Sequence, residues 1–326
     1  MTLPQVSIVA IGRNEGERLR RCLDSVRERA ACVVYVDSGS SDGSVEMARG
    51  KGADVVALDM QLPFTAARAR NAGFLRVREL MPHVRHVQFV DGDCEVVGDW
   101  LERAHEFLNG NPRVAAVCGR RRERHPERSI YNRLCDMEWD IPPGPIRSCG
   151  GDVMMRADAL HQVGGYRDSL IAGEEPELCV RLRAQGWQIH ALKAEMTLHD
   201  AGMTRLRQWW LRIKRSGYAF AEGAHLHGAP PERHRIRESR RAWVWGLGLP
   251  LGIAVLAAVF GFWAGLLLLI YPLQVLRQFF RLPGDARDRG LRAAFQVLGR
   301  FPEAMGQLQF VRDRLLGRGG RLIEYK

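Results

Sequence analysis

The sequence predicts an α/β protein, a mostly parallel sheet covered by helices, followed by a C-terminal membrane-associated helical segment. Three observations predict it. Short apolar runs alternate with amphipathic stretches through the first ninety or so residues. Aspartates close two of those runs. Late in the chain, residues 243–276 form a stretch of 34 residues without a charge.

The elements follow in order. "VSIVAI" (6–11) is a continuous apolar run, as a strand buried on both faces requires. "EGERLRRCLDSVRER" (15–29) places Leu19, Cys22, Leu23 and Val26 on one helical face. "ACVVYVD" (31–37) is a Val-rich strand that ends on Asp37. "SDGSVEMARGKG" (41–52) is a shorter helix with Ser41 or Asp42 as its cap and glycine at its end. "ADVVAL" (53–58), a helix across 65–79 and "HVQFVD" (86–91) continue the rhythm. Such βαβ alternation builds a parallel sheet, and ligands bind beyond the carboxyl ends of its strands. Asp37 and Asp91 therefore point into the expected crevice.

Apolar residues make up 46% and charged residues 26%, a globular composition. The 326 residues suffice for a full core. The seven cysteines are odd in number and form no CxxC pair, so neither a disulfide framework nor a zinc knuckle is indicated, and a reducing compartment is expected. The N-terminus lacks a signal-peptide pattern.

The net charge of +11 raises nucleic acid as a partner, but its distribution argues against one. Residues 1–203 hold 27 Lys and Arg against 29 Asp and Glu. Residues 204–241 hold 10 against 3, and residues 277–326 hold 11 against 5. The excess flanks the charge-free stretch on both sides. A bilayer span needs about 20 residues, and 34 in one helix would reach about 51 Å against a hydrocarbon core near 30 Å. One helix overshoots, or two form a hairpin that turns near "GFWAG" (261–265), with Pro250 and Pro272 as kinks. Basic flanks mark the cytoplasmic side, which favours the hairpin. Before it, "TRLRQWWLRIKRSGYAF" (204–220) sets Leu206, Trp209, Trp210, Ile213 and Phe220 on one face, bordered by cations, as in an interfacial helix. The expected organisation is an α/β domain over 1–203, a basic amphipathic helix and linker over 204–241, the membrane segment over 242–282 and a basic cytoplasmic tail over 283–326.

Asp91-Gly92-Asp93 sets two carboxylates beside each other where a buried strand ends. Their oxygens are hard ligands suited to Mg²⁺ or Mn²⁺, and Gly92 lets the backbone turn sharply. The competing reading is a solvated Asp-Gly turn, which the buried strand disfavours. Asp37 is placed to accept from a base N–H or from sugar hydroxyls.

Six pieces in order, "GRNEGERL" (12–19), "VDSGSSDGS" (36–44), "ARNAGF" (69–74), "DGDCE" (91–95), "GGDVMMR" (150–156) and "GEEPELCVRLRAQGW" (173–187), resemble the family 2 glycosyltransferases of GT-A fold, over roughly residues 5–225. The resemblance implies an inverting transferase that takes a nucleotide-diphospho-sugar and a divalent metal, Mn²⁺ or Mg²⁺. It implies that Ile11, Arg13, Asn14 and Glu15 line the donor, with Ile11-Gly12-Arg13 replacing the family's usual Pro-Thr-Tyr. Asp37 would meet the base, Arg70 the diphosphate, and Asp91 and Gly92 the donor. Asp93, with Asp91 and a late histidine, His199, would hold the metal. Gly150, Gly151 and Asp152 would face the acceptor. Glu175 aligns with the family's catalytic base, an Asp, and Glu174 stands beside it. Gln208-Trp209-Trp210 is loosely similar to an acceptor-binding signature of membrane-bound relatives.

The acceptor this implies is a lipid-linked saccharide of cell-surface polysaccharide, or a polyprenyl phosphate, at the inner membrane with the catalytic domain facing the cytoplasm. Two other classes compete. A nucleotidyltransferase would want a Gly-rich phosphate loop, for which "AIGRNEGERL" is poor. An inactive nucleotide-sugar-binding scaffold would not need the intact Asp and Glu pairs.

Overall fold

The computed structural model describes residues 3–324, in two compact units, one ending at Gly202 and the other starting at Met203. In the first unit the expected alternation forms as β1 (Leu3–Gly12), α1 (Glu17–Val26), β2 (Ala30–Asp37), α2 (Ser44–Gly50), β3 (Asp54–Ala57), α3 (Ala66–Leu80) and β4 (His86–Asp91). There follow β5 (Cys94–Val96), α4 (Trp100–Gly110), β6 (Val114–Glu123), α5 (Ile130–Glu138), β7 (Gly144–Ile146), β8 (Val153–Arg156), α6 (Ala157–Gln162), α7 (Glu174–Ala184) and β9 (Gln188–His199). Among the described residues these strands make one sheet, ordered β3-β2-β1-β4-β8-β6-β9-β5, with β7 beside β9.

The β3-β2-β1-β4 half is parallel, as the apolar runs predict. Val6, Ile8, Val9 and Ala10 of β1 are fully buried between α1 and α3. Gly73 of α3 lies so close to Val9 and Val36 that an added methyl would overlap Val9, so the helix rides directly on the sheet. Thr65 caps α3 by accepting from the Arg68 N–H. Beyond β4 the sheet turns mixed. β8 runs antiparallel to both β4 and β6, so β6 points the same way as β4 and ends at the same edge. The carboxyl ends of β1, β2, β4 and β6 thus share one crevice.

The second unit is helical: α8 (Leu206–His227), α9 (Ile236–Trp243), a π-turn (Val244–Gly248), α10 (Leu249–Phe260), a 3₁₀ segment (Phe262–Leu269), α11 (Ile270–Phe279), α12 (Ala286–Leu298) and α13 (Arg300–Leu315). Ile236–Phe260 is one continuous helix of 25 residues, with only 6% of its apolar window buried. Gly261, at φ 81°, turns the chain back, and the returning segment packs on α10. The expected turn near 261–265 is therefore a hairpin that bends at its first residue. Eight 3₁₀ residues at ~2.0 Å and ten α residues at ~1.5 Å give the return limb about 31 Å. Pro250 lies inside this continuous helix just after the π-turn, a local break in the i→i−4 ladder of the kind that accompanies a residue with no N–H to donate.

Two expectations for this unit are corrected. The helix read as interfacial is packed: Trp209 is 3% exposed, edge-on to Phe295 at 4.8 Å. The basic tail expected over 283–326 is mostly α12 and α13, and α13 is laid on α8 with Gly217 against the Glu303 backbone and Gly306 against the Lys214 carbonyl. These two glycines permit backbone contact, and of the apolar stripe of α8 Trp209 is buried, Trp210, Ile213 and Phe220 are half-buried and Leu206 stays exposed.

Candidate active site

The site is built from strand ends. The last residues of β4 continue into Asp91-Gly92-Asp93, and the Gly92 N–H donates to the Ile11 carbonyl at 2.8 Å. A Cβ at Gly92 would press on that carbonyl at 3.1 Å, which accounts for the glycine. After β1, Asn14 adopts φ 54° and bridges to the second loop: its N–H meets Ser40 Oγ and its side-chain oxygen takes the Ser41 N–H. Asp37 is 4% exposed and organises that loop, accepting from the Gly39 and Ser40 N–H groups and from the Tyr35 hydroxyl. Asp42 accepts from the Ser44 N–H at the start of α2.

Arg70, 3% exposed, lies at the centre of the carboxylates. One amino group reaches Glu174 at 2.9 Å and Glu175 at 2.8 Å, and the other reaches Asp91 at 2.8 Å. Its plane stands 5.8 Å from the Tyr166 ring. Arg70 was expected beside a diphosphate; here its charge is matched by three carboxylates instead. Asp91 also meets Arg121 at 3.2 Å. Burial works to raise the Asp91 carboxyl, but Arg70 and Arg121 outweigh it and hold it below the usual carboxylate range.

Arg121 and Glu123, both from β6, are site residues the sequence reading missed. Arg121 pairs with Asp152 at 2.7 Å and stacks over Trp139 at 5.3 Å. Asp152 was expected to face an acceptor; it is instead 1% exposed and fully engaged. It accepts from Arg121, from the Thr197 hydroxyl at 2.6 Å and from the Asp91 N–H at 3.0 Å. It pins the DxD backbone from within, because a buried carboxylate needs all its partners. Glu123 accepts from the Ala201 N–H and the Asn132 amide and lies 3.4 Å from His199 Nδ1.

The other ring nitrogen, His199 Nε2, lies 3.3 Å from Asp93 Oδ2. The register of β5 and β9, which pairs Cys94 with His199, brings them together. The Trp139 ring meets the imidazole edge-on at 4.7 Å. The line Glu123–His199–Asp93 has the form of a metal site with its outer carboxylate, which fixes the ring and raises its basicity. One oxygen and one nitrogen donor suit Mn²⁺ or Mg²⁺ completed by substrate phosphates. Cys94 is near enough to contribute, but burial pushes its thiol well up, so it stays protonated. The neighbouring group of Asp91, Cys94 and Asp152 already holds the Arg121 guanidinium. Asp93 and His199 are therefore the better metal pair.

Glu174 and Glu175 form the first turn of α7, entered through Gly173 at φ 78°. Both are buried, and acids there are favoured by the helix dipole. Burial, and then Glu174 beside it, push Glu175 up to about 7, against the pull of Arg70. Gly151 faces this cluster: a methyl there would overlap the Arg70 guanidinium and lie 3.2 Å from Asp91 and Glu175. Gly150 has open space around it. Trp209 and Trp210, expected at the acceptor, belong to the second unit, where Trp209 is core.

Residues 7–160 match the family model described as glycosyl transferase family 2. Among curated proteins, the chain is 26% identical over 204 residues to glycosyltransferase AglE of Haloferax volcanii, covering 58% of this chain and 64% of that protein. It is 26% identical over 243 residues to the pre-mycofactocin glycosyltransferase of Mycobacterium tuberculosis, covering 70% and 48%. The chain thus spans about half to two thirds of the length of these relatives. Among solved structures, a mannosyltransferase from Pyrobaculum calidifontis, in complex with GDP-Man and Mn²⁺, superposes with a TM-score of 0.63 at 18% identity, covering 94% of this chain and 89% of that one. That likeness shows the fold, which is GT-A.

Proposed function

We propose that the chain, whose residues 7–160 match the glycosyl transferase family 2 model, moves a sugar from a nucleotide-diphospho-sugar to an acceptor hydroxyl, with inversion at the anomeric carbon. The observation that carries this reading is Glu175. It is a carboxylate titrating at about 7, set at a helix start beside Gly151 and within one arginine of the DxD turn. A general base works best when its pKa lies near the working pH.

In the reaction, Glu175 takes the proton of the acceptor hydroxyl. The acceptor oxygen bonds to the anomeric carbon as the bond to the diphosphate breaks, and that electron pair leaves with the nucleoside diphosphate. Arg70 pairs with Glu175, which favours its ionised form, and links it to Asp91 through its other amino group. Asp93 and His199 would hold a divalent metal, which when bound would compensate the charge on the leaving diphosphate. Glu123 keeps the imidazole turned toward Asp93. Asn14 and Asp37 shape the loops in which a nucleoside would lie.

The acceptor we propose is a lipid-linked saccharide of cell-surface polysaccharide, which offers the hydroxyl that Glu175 deprotonates; the alternative is a polyprenyl phosphate, whose already ionised phosphate oxygen would attack without that proton transfer. The apolar hairpin supports it, since an enzyme anchored in a bilayer meets such acceptors by diffusion in two dimensions. Basic flanks at both ends of the hairpin support a cytoplasmic face at the inner membrane.

The test is a donor screen with purified protein, Mn²⁺ and membrane lipid extract, reading which nucleotide product appears. Release of nucleoside diphosphate that Glu175→Gln abolishes while donor binding persists is the expected result. In a parallel arm given a nucleoside triphosphate and a sugar 1-phosphate instead, release of inorganic diphosphate would make the chain a nucleotidyltransferase. Donor binding without turnover for every sugar would make it a scaffold.

A further inference from the structure

The second unit contains a cavity that the transfer reaction does not use. Its volume is about 250 Å³, below the roughly 300 Å³ at which pockets for drug-sized ligands begin. Four arginines line it, Arg241, Arg277, Arg281 and Arg300, with Gln274 and Gln278 between them. No acidic residue lines it. Arg300 is paired with Glu303 at 2.7 Å, and Arg241 feels the same carboxylate. Arg277 and Arg281 make no ion pair among the described residues and are exposed.

The position of these arginines gives the cavity its meaning. Arg241 precedes the apolar part of the outgoing limb, and Arg277 and Arg281 stand at the end of the returning one. Both limbs therefore present their cations at the same end of the hairpin. Trp245 and Tyr271 mark that end, with the Tyr271 hydroxyl donating to the Trp245 carbonyl at 2.7 Å. Aromatic residues of this kind sit at headgroup depth. Guanidinium forks match phosphate oxygens bidentately, and glutamine amides add neutral donors.

We propose that this cavity binds the phosphate group of an anionic membrane lipid. The cavity takes the headgroup phosphate between Arg277, Arg281 and Arg241, and the acyl chains lie along the exposed apolar limbs of the hairpin. The proposal rests on the membrane reading of residues 236–279 and not on the transfer chemistry.

The experiment uses the full chain in neutral detergent, titrated with dioctanoyl phosphatidylglycerol, dioctanoyl phosphatidylcholine or inorganic phosphate in a calorimeter. Phosphatidylglycerol should bind saturably, and millimolar phosphate should not displace it. Arg277→Gln with Arg281→Gln should weaken binding by about thirtyfold, given the worth of each cation near an anionic surface. Arg287→Gln with Arg292→Gln removes the same charge elsewhere in the unit and should leave the affinity unchanged, as should neither pair alter the helical circular dichroism. Equal losses in the two double variants would reduce the effect to net charge and overturn the site. Equal binding of phosphatidylcholine, or displacement by inorganic phosphate, would overturn the anionic-lipid assignment. A wild-type chain that stays monodisperse without detergent would overturn the membrane reading instead.

Discussion

Replacing Arg70 with Gln removes the one cation shared by Glu174, Glu175 and Asp91. Opposite charges about 4 Å apart attract by about 4 kcal/mol at an effective dielectric near 20, or about 3 pKa units at 1.36 kcal/mol each. Three carboxylates share that attraction and water enters the space, so Glu175 should rise from about 7 by about one unit or more. At pH 7 the ionised fraction then falls from about half to about a tenth. The assay is kcat/KM against pH from 6 to 9.5, since that ratio reports the free enzyme's base. The acid limb should move up by a unit, with much of the loss recovered at pH 9. Stability should follow the same group. Its folded pKa lies above the ordinary glutamate value of about 4.5, so its contribution is fully present below about 4.5 and is lost as pH rises through about 7. In the variant that loss extends upward, and the melting temperature should fall further between pH 7 and 9. A uniform drop in kcat/KM with an unmoved acid limb would refute the electrostatic role of Arg70 and leave only a structural one.

Three further outcomes are expected. Glu123→Gln should weaken Mn²⁺ binding by 10- to 100-fold, read as free Mn²⁺ by electron paramagnetic resonance, with little change in melting temperature; unchanged affinity would detach Glu123 from the metal pair. Gly151→Ala should displace the Arg70 guanidinium and cost about 3 kcal/mol of stability in chemical denaturation, the order of magnitude for a disrupted buried ion pair; a fully active, equally stable variant would mean the loop yields freely. Gly306→Leu should force α13 off α8, exposing Trp209 and shifting its fluorescence to the red; an unshifted spectrum would show that the seam tolerates a side chain.

Much of the fold's first half was legible because its strands are buried on both faces. Ile8, Val9, Val34 and Val36 are fully buried, so β1 and β2 announce themselves as mostly apolar runs, while β4 buries His86 and Gln88 among its apolar residues. The mixed half was not legible in this way. β8 and β7 are four and three residues long, and β9 mixes buried and exposed positions along its length. Of the site, the turn after β4, the glutamate pair and His199 were visible as chemistry at predicted strand or helix ends. Arg121 and Glu123 were missed because "GRRRER" reads as a solvated basic patch. The signal was nonetheless present: "VAAVC" is a buried strand, and charged residues follow it as Asp91 follows "VQFV". Period-2 alternation then places Arg121 and Glu123 on one side of β6. Asp152 and Trp209 were misassigned for the opposite reason. A short motif says which residues lie near a site, while only packing says which of them turn inward.

The hairpin closed at Gly261 carries a consequence for how the chain is made. Residues 243–276 contain no charged side chain, and both limbs return their arginines to one end. Insertion under the membrane reading therefore drags no charge through hydrocarbon, the costliest step in placing a protein in a bilayer. Under the same reading, neither the unit ending at Gly202 nor the helices after residue 283 need be translocated. The segment can enter from the side on which the ribosome releases it, after the catalytic unit that precedes it in the chain has folded.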